Sequence, residues 1–129
     1  MACTASPGQL FAAPFAVLGS IGVVGQQLNF FETLRQCGVE PLTFRSGESK
    51  APLTPTGEIT QQGLAVVQDM LDKVHLAFQR HVAEARPVLA DRIADVATGE
   101  TWLGYDAVGN GLIDGIITRY ALLQTVSNM

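Results

Sequence analysis

The chain has 129 residues and 13.7 kDa, with 47% hydrophobic and 16% charged residues, which excludes a disordered tail and fits one soluble globular domain or part of one. Eight basic against twelve acidic residues give a formal charge of -4 without any run of Lys or Arg, so phosphate-backbone binding, and with it a nucleic-acid partner, is disfavoured. At this length folding buries roughly two-thirds of the extended surface, enough for a core without disulfide or metal staples.

The first cation is Arg35, so residues 1–13 lack the basic start of a secretory signal. Residues 10–25 are the most apolar stretch, but Pro14, Gly19, Ser20 and Gly22 interrupt them and they fall short of the roughly 20 residues of a spanning helix. Within them residues 15–25 (FAVLGSIGVVG) have the pattern of a strand buried on both faces. Phe30, Phe31 and Leu34 predict a short helix over 28–37, stopped by Gly38. Residues 39–44 (VEPLTF) alternate as a strand, which Pro41 confines to an edge or a strand start.

Residues 45–57 (RSGESKAPLTPTG) form a loop with too few apolar residues for core. Thr60 is placed to cap the next helix, near 61–85, in which Leu64, Val67, Leu71, Val74, Phe78, His81 and Ala85 recur at helical spacing. Pro87 ends that helix at Arg86, and residues 88–96 form a second short one. Thr101 to Leu103 reads as extended, residues 105–110 as a helical turn stopped by Gly111, residues 112–117 as a strand and residues 120–126 as a terminal helix. Strands alternating with helices predict an α/β architecture in one domain over 1–129.

Few residues offer chemistry on their own. His75 and His81 stand about 240° apart around one helix, so they cannot share a metal from it, and His81 falls on the apolar stripe while His75 lies off it. Both read as structural. Cys3 and Cys37 belong to no paired motif, which signals neither zinc nor a disulfide. Gly19, Gly22 and Gly25 match neither the dinucleotide fingerprint nor a phosphate loop, and no cofactor is indicated. Trp102 and Tyr105 read as packing residues, and Lys73, beside Asp69 and Asp72, as part of a solvated face. Lys50 differs in setting, because its loop joins a strand to the long helix. A lysine becomes a general base where burial favours its neutral amine.

Four segments in order change the weight given to Lys50: residues 13–24 with Gly-Ser-Ile-Gly at 19–22, then Ser46-Gly47-Glu48-Ser49-Lys50, then residues 97–107 (ATGETWLGYDA), then Asn110-Gly111-Leu112-Ile113-Asp114. This order resembles the C-terminal half of the signal peptide peptidase A family of serine/lysine peptidases over nearly the whole chain. The resemblance implies an incomplete Clp/crotonase-like domain, a Ser/Lys dyad without histidine, Lys50 as the general base and Ser20 as the residue that hydrogen-bonds and aims its amine. It also implies peptide substrates, no cofactor or metal, and assembly into homo-oligomers.

In that family the nucleophilic serine precedes the Gly-Ser-Ile-Gly strand in a Ser-Gly-Gly turn, which Ser6, followed by Pro7 and Gly8, does not match. The oxyanion donors come from the same upstream half. The chain is therefore expected to supply the base without the nucleophile and to be inactive alone, as one part of a longer peptidase. The alternative is a naturally short, non-catalytic remnant that serves as an oligomerisation or binding module. Either way, sheet edges that the N-terminal half would cover are expected to drive self-association. Membrane association is expected only through segments outside these residues, and the compartment is not encoded in them.

Overall fold

The computed structural model describes residues 10–47 and 50–127. Helices and strands are mixed along the chain, as an α/β reading requires. Two units are distinguished: one holds the N-terminal residues up to Gly22 together with His75 onward, the other Val23–Val74.

In the first unit, β1 (Phe11–Ala12) pairs in parallel with β4 (Gly115–Ile116), and β2 (Val17–Gly19) pairs antiparallel with β3 (Thr101–Leu103). Among the described residues the core consists of eight buried hydrophobic residues, Ile21, Val82, Leu89, Val96, Ala97, Ala107, Leu112 and Ile113. All eight belong to this unit. Arg86 is buried among them, and its guanidinium makes a two-pronged pair with Asp114, 2.8 Å to each carboxylate oxygen, while donating to the Gly111 carbonyl. Asp114 in turn accepts from the Leu10 amide at 3.0 Å, and its own amide donates to the Leu10 carbonyl.

The second unit contains α1 (Phe31–Gln36), the Lys50 loop and the first half of α2 (Gln61–Ala85). Gly38 stops α1 in a Schellman arrangement. Its φ is 71°, its amide donates to Arg35, and the Val39 amide donates to Leu34. Thr60 caps α2 through its hydroxyl, which accepts the Gly63 amide at 3.0 Å. α2 ends before Arg86, whose φ of -131° is the extended geometry that a following proline imposes.

Several expectations are corrected. The strand of residues 15–25 is three residues long, because Pro14 and Phe15 form a turn and consecutive left-handed residues, Gly19 and Ser20, end the ladder. It is not buried on both faces either, since Phe15 is 84%, Val17 69% and Val24 90% exposed. Residues 39–44 form no strand. Pro41 lacks a donor, the second unit offers no partner strand among the described residues, and Leu42 and Phe44 are exposed. Residues 112–117 pair only at β4, because Leu112 and Ile113 are drawn into the core just after the left-handed turn at Gly111. Residues 88–96 divide into a 3-10 helix (Pro87–Arg92) and α3 (Ile93–Val96). Helix α4 (Gly104–Gly109) and the terminal α5 (Arg119–Ser127) lie where the sequence predicts them.

Candidate functional site

Ser20 sits where β2 breaks off. Its φ of 54° is left-handed, an unfavourable backbone for a residue with a Cβ. The turn before β3 holds it there: the Ser20 amide donates to the Glu100 carbonyl at 2.7 Å, and the Gly99 amide donates to Ile21. The preceding Gly19 has no room for a side chain, since a Cβ would stand 2.6 Å from both the Glu100 oxygen and the Trp102 ring. The Thr98-Gly99-Glu100-Thr101-Trp102 segment and the Gly-Ser-Ile-Gly segment thus form one structure, and the serine hydroxyl is left at an exposed end of it.

Beside Ser20 lies a cavity of about 310 Å³, lined by Val17, Phe78, Val82, Leu89 and Leu112, with Arg86 also in its wall. Because Arg86 is already committed to Asp114 and Gly111, the cavity presents an essentially apolar surface.

Lys50 is exposed in its loop, and its amide donates to the Gly47 carbonyl at 3.2 Å. Left-handed φ values at Gly47 and Ala51 bracket it, and Arg45 donates to the Ala51 carbonyl. The loop is fastened to α2 just downstream: a Cβ on Gly63 would stand 2.5 Å from the Pro52 carbonyl oxygen and 2.8 Å from the Leu53 side chain. On the other side, the Asn29 side-chain amide donates to the Thr54 and Gly57 carbonyls, and the Phe30 backbone amide to the Pro55 carbonyl. Glu48 and Ser49 of the motif lie outside the described residues, as do Cys3 and Ser6. Ser20 belongs to the first unit and Lys50 to the second, and each is held by contacts within its own unit.

The remaining candidates are placed as follows. His75 is half-buried on the inward stripe of α2 rather than off it, and its Nε2 is 2.9 Å from the Ala97 carbonyl. The same nitrogen lies 3.0 Å from the Gln79 side-chain amide, and the two contacts make the ring a strut between α2 and Ala97. His81 is also half-buried, with its Nε2 unpartnered among the described residues. Lys73 pairs with Asp69 at 2.6 Å on an exposed face, and Trp102 packs on the core. Cys37 is exposed and free. Among the described residues no group of three or more His, Cys, Asp or Glu side chains could hold a metal ion, and no helix is long and apolar enough to cross a membrane. The Arg86–Asp114 pair escaped sequence reasoning, although Asp114 closes one of the quoted motifs.

The family model of peptidase family S49 matches residues 1–128. The chain is 40% identical over 123 residues to a "Probable protease SohB" of Haemophilus influenzae, which covers 95% of this chain and 34% of that protein. A "Probable protease SohB" of Buchnera aphidicola from Acyrthosiphon pisum is 39% identical over 123 residues, covering 95% of the chain and 35% of the relative. A "Putative signal peptide peptidase SppA" of Enterococcus faecium is 30% identical over 113 residues, 88% of the chain and 33% of the relative. The chain spans about a third of the length of these relatives.

Proposed function

The chain belongs to peptidase family S49, the signal peptide peptidase A family, and from that premise we propose that it is the C-terminal part of a Clp/crotonase-like serine endopeptidase domain working through a Ser/Lys dyad. The observation that carries this reading is the family match across residues 1–128, with Lys50 in its Ser-Gly-x-x-Lys loop fastened against α2. Lys50 is the general base. Ser20 hydrogen-bonds the lysine amine and aims it, and the nucleophilic serine and oxyanion donors come from the remainder of the domain.

In the complete enzyme the neutral Lys50 amine takes the proton of the nucleophilic serine as its oxygen attacks the scissile carbonyl. The resulting ammonium gives that proton to the departing amine, which leaves an acyl-enzyme. Lys50, neutral again, then takes a proton from water, hydroxide adds to the ester carbonyl, and collapse of the intermediate returns the proton to serine and releases the acid.

A lysine serves as a base only where it is shielded from water. The exposed setting of Lys50 in this chain supports the view that cover and nucleophile arrive together, and that the chain alone is inactive. Its partners are then peptide substrates, the rest of the domain and further copies of the enzyme. The exposed apolar residues Phe15 and Val17 at β2 favour such association and equally support the second reading, a non-catalytic oligomerisation or binding module.

The test is turnover of a fluorogenic peptide by the complete peptidase and its Lys50→Ala variant. Loss of a general base is expected to cost at least about 10²- to 10⁴-fold with an unchanged melting temperature. Wild-type turnover in Lys50→Ala would remove Lys50 from the dyad.

A further inference from the structure

Every residue of the Gly-Ser-Ile-Gly segment is touched by the short stretch that leads into β3. At Gly19 the six-membered edge of the Trp102 indole lies against the backbone, since an added Cβ would stand 2.6 Å from Cε3 and 2.8 Å from Cζ3. The Ser20 amide donates to the Glu100 carbonyl at 2.7 Å, and the Ile21 carbonyl accepts from the Gly99 amide at 3.1 Å. At Gly22 a Cβ would stand 3.1 Å from the Gly99 Cα, so the two backbones pass in near contact.

This stretch is itself fixed at both ends. Trp102 is opposite Leu18 in the β2–β3 register and packs against the core. At the other end Ala97 is buried, and its carbonyl lies 2.9 Å from His75 Nε2 on α2. Between them Gly99 takes a φ of 87°, and the exposed Thr98 hydroxyl accepts the Glu100 amide at 3.4 Å. Thr98 thereby shapes the bend from which the Glu100 carbonyl reaches Ser20.

A two-stranded ladder requires none of this. Pairing of β2 with β3 ends at Gly19 and Thr101, and a left-handed residue at a strand end is ordinarily glycine or asparagine. Here an exposed serine takes that geometry at φ 54°, and its hydroxyl has no hydrogen-bond partner among the described residues. Strain of this kind persists only where surrounding contacts over-determine it. Those contacts all fall on the backbone of residues 19–22, which leaves the hydroxyl at a set place and open to another group.

We propose that residues 98–102 are a positioning clamp for Ser20, with Trp102 and Thr98 as its positioning residues: they act on the reaction only by fixing where the Ser20 hydroxyl stands. The inference rests on the reading of Ser20 as the residue that aims the Lys50 amine. Misplacing an orienting group by about 1 Å costs up to about 10²-fold in rate, so the indole and the bend bear on turnover without touching substrate. Trp102→Leu keeps an aliphatic side chain toward the core and removes the ring edge beside Gly19, whereas Trp102→Phe keeps a six-membered ring.

The experiment combines amide hydrogen exchange in the 129-residue chain with turnover of a fluorogenic peptide by the complete peptidase, in wild-type and Ser20→Ala backgrounds. Trp102→Leu is expected to speed exchange at Ser20 and Gly99 by about tenfold or more, while the Leu89 amide, bonded to the Arg86 carbonyl, keeps its rate. In the complete enzyme it is expected to lower kcat about tenfold with KM changed by less than about twofold, and Trp102→Phe to restore most of the loss. In the Ser20→Ala background Trp102→Leu is expected to have no further effect, because residues that act through one group are not additive. Thr98→Val, an exposed change that leaves the core intact, is expected to show the same pattern with a smaller loss, and it decides the matter where Trp102→Leu does not fold.

An equal loss of kcat in both backgrounds, or faster exchange across the whole first unit, makes Trp102 a residue of stability alone and overturns the proposal. Unchanged exchange and kcat in Thr98→Val do so as well. Wild-type turnover in Ser20→Ala sinks the reading of Ser20 and the role of the clamp with it. A loss in Ser20→Ala beside wild-type turnover in Trp102→Leu sinks the clamp and leaves Ser20 aiming Lys50.

Discussion

A serine in a left-handed backbone is held there against its preference, and Ser20 is held by the Glu100 carbonyl on one side and the crowded Gly19 on the other. Such strain costs of order 1 kcal/mol and is found where the surrounding structure over-determines it, often at functional positions. The backbone strain at Ser20 and its proposed role in aiming Lys50 separate on substitution. Ser20→Gly should raise the chain's stability by up to about 1 kcal/mol in urea unfolding, because glycine takes φ 54° freely, yet under the proposed dyad it should lower turnover of the complete enzyme by removing the hydroxyl proposed to aim Lys50. Ser20→Ala should lower turnover similarly, and less severely than Lys50→Ala, without the gain in stability. Turnover unchanged in both would leave Ser20 a structural residue. The motif containing this serine is legible in the sequence, but its strain is not, since φ at Ser20 is set by Glu100 and Trp102, some eighty residues away.

The same division between near and far decides which elements the sequence announces. Both ends of α2 are local matters, the Thr60 hydroxyl on the Gly63 amide and Pro87 after Arg86, and both fall where the sequence puts them. The stop of α1 at Gly38 is local as well. Strands need partners. Residues 39–44 alternate correctly and still form none, and residues 15–25 are apolar enough for double burial and still leave Phe15 and Val17 open. Their composition suits a sheet larger than the two strand pairs among the described residues, in keeping with a chain that spans about a third of its relatives. His75 lies off the stripe that periodicity predicts and yet is half-buried, because the inward face, with Val67, Leu71, Phe78 and Val82, is turned slightly from that stripe. Thr60→Ala removes the cap at the helix end nearest the Lys50 loop and should cost about 1 kcal/mol. Amide hydrogen exchange at Gly63 should accelerate with it, and an unchanged urea midpoint would show that the cap contributes nothing to the fold.

At the scale of the molecule, few of the described residues are buried, and what joins distant parts of the first unit is largely polar. Leu10, Arg86 and Asp114 are brought together from the start, middle and end of the described chain through the two-pronged guanidinium pair and the reciprocal bonds between Leu10 and Asp114. A buried ion pair is weak evidence of net stabilisation, because desolvation offsets much of its attraction, but removing one partner leaves the other without compensation. Arg86→Met keeps the volume and the apolar stem while removing the guanidinium that pairs with the Asp114 carboxylate and donates to the Gly111 carbonyl. It should therefore lose about 3–5 kcal/mol, a large share of the 5–15 kcal/mol typical of a domain. In urea unfolding the isolated chain should approach the threshold of folding, and the cavity beside Ser20, which Arg86 helps to line, should loosen with it. Asp114→Asn, which retains an acceptor for the Leu10 amide, should cost less. Equal and small losses in both variants would mean that the eight buried hydrophobic residues hold the unit by themselves and that the pair only joins segments already in place.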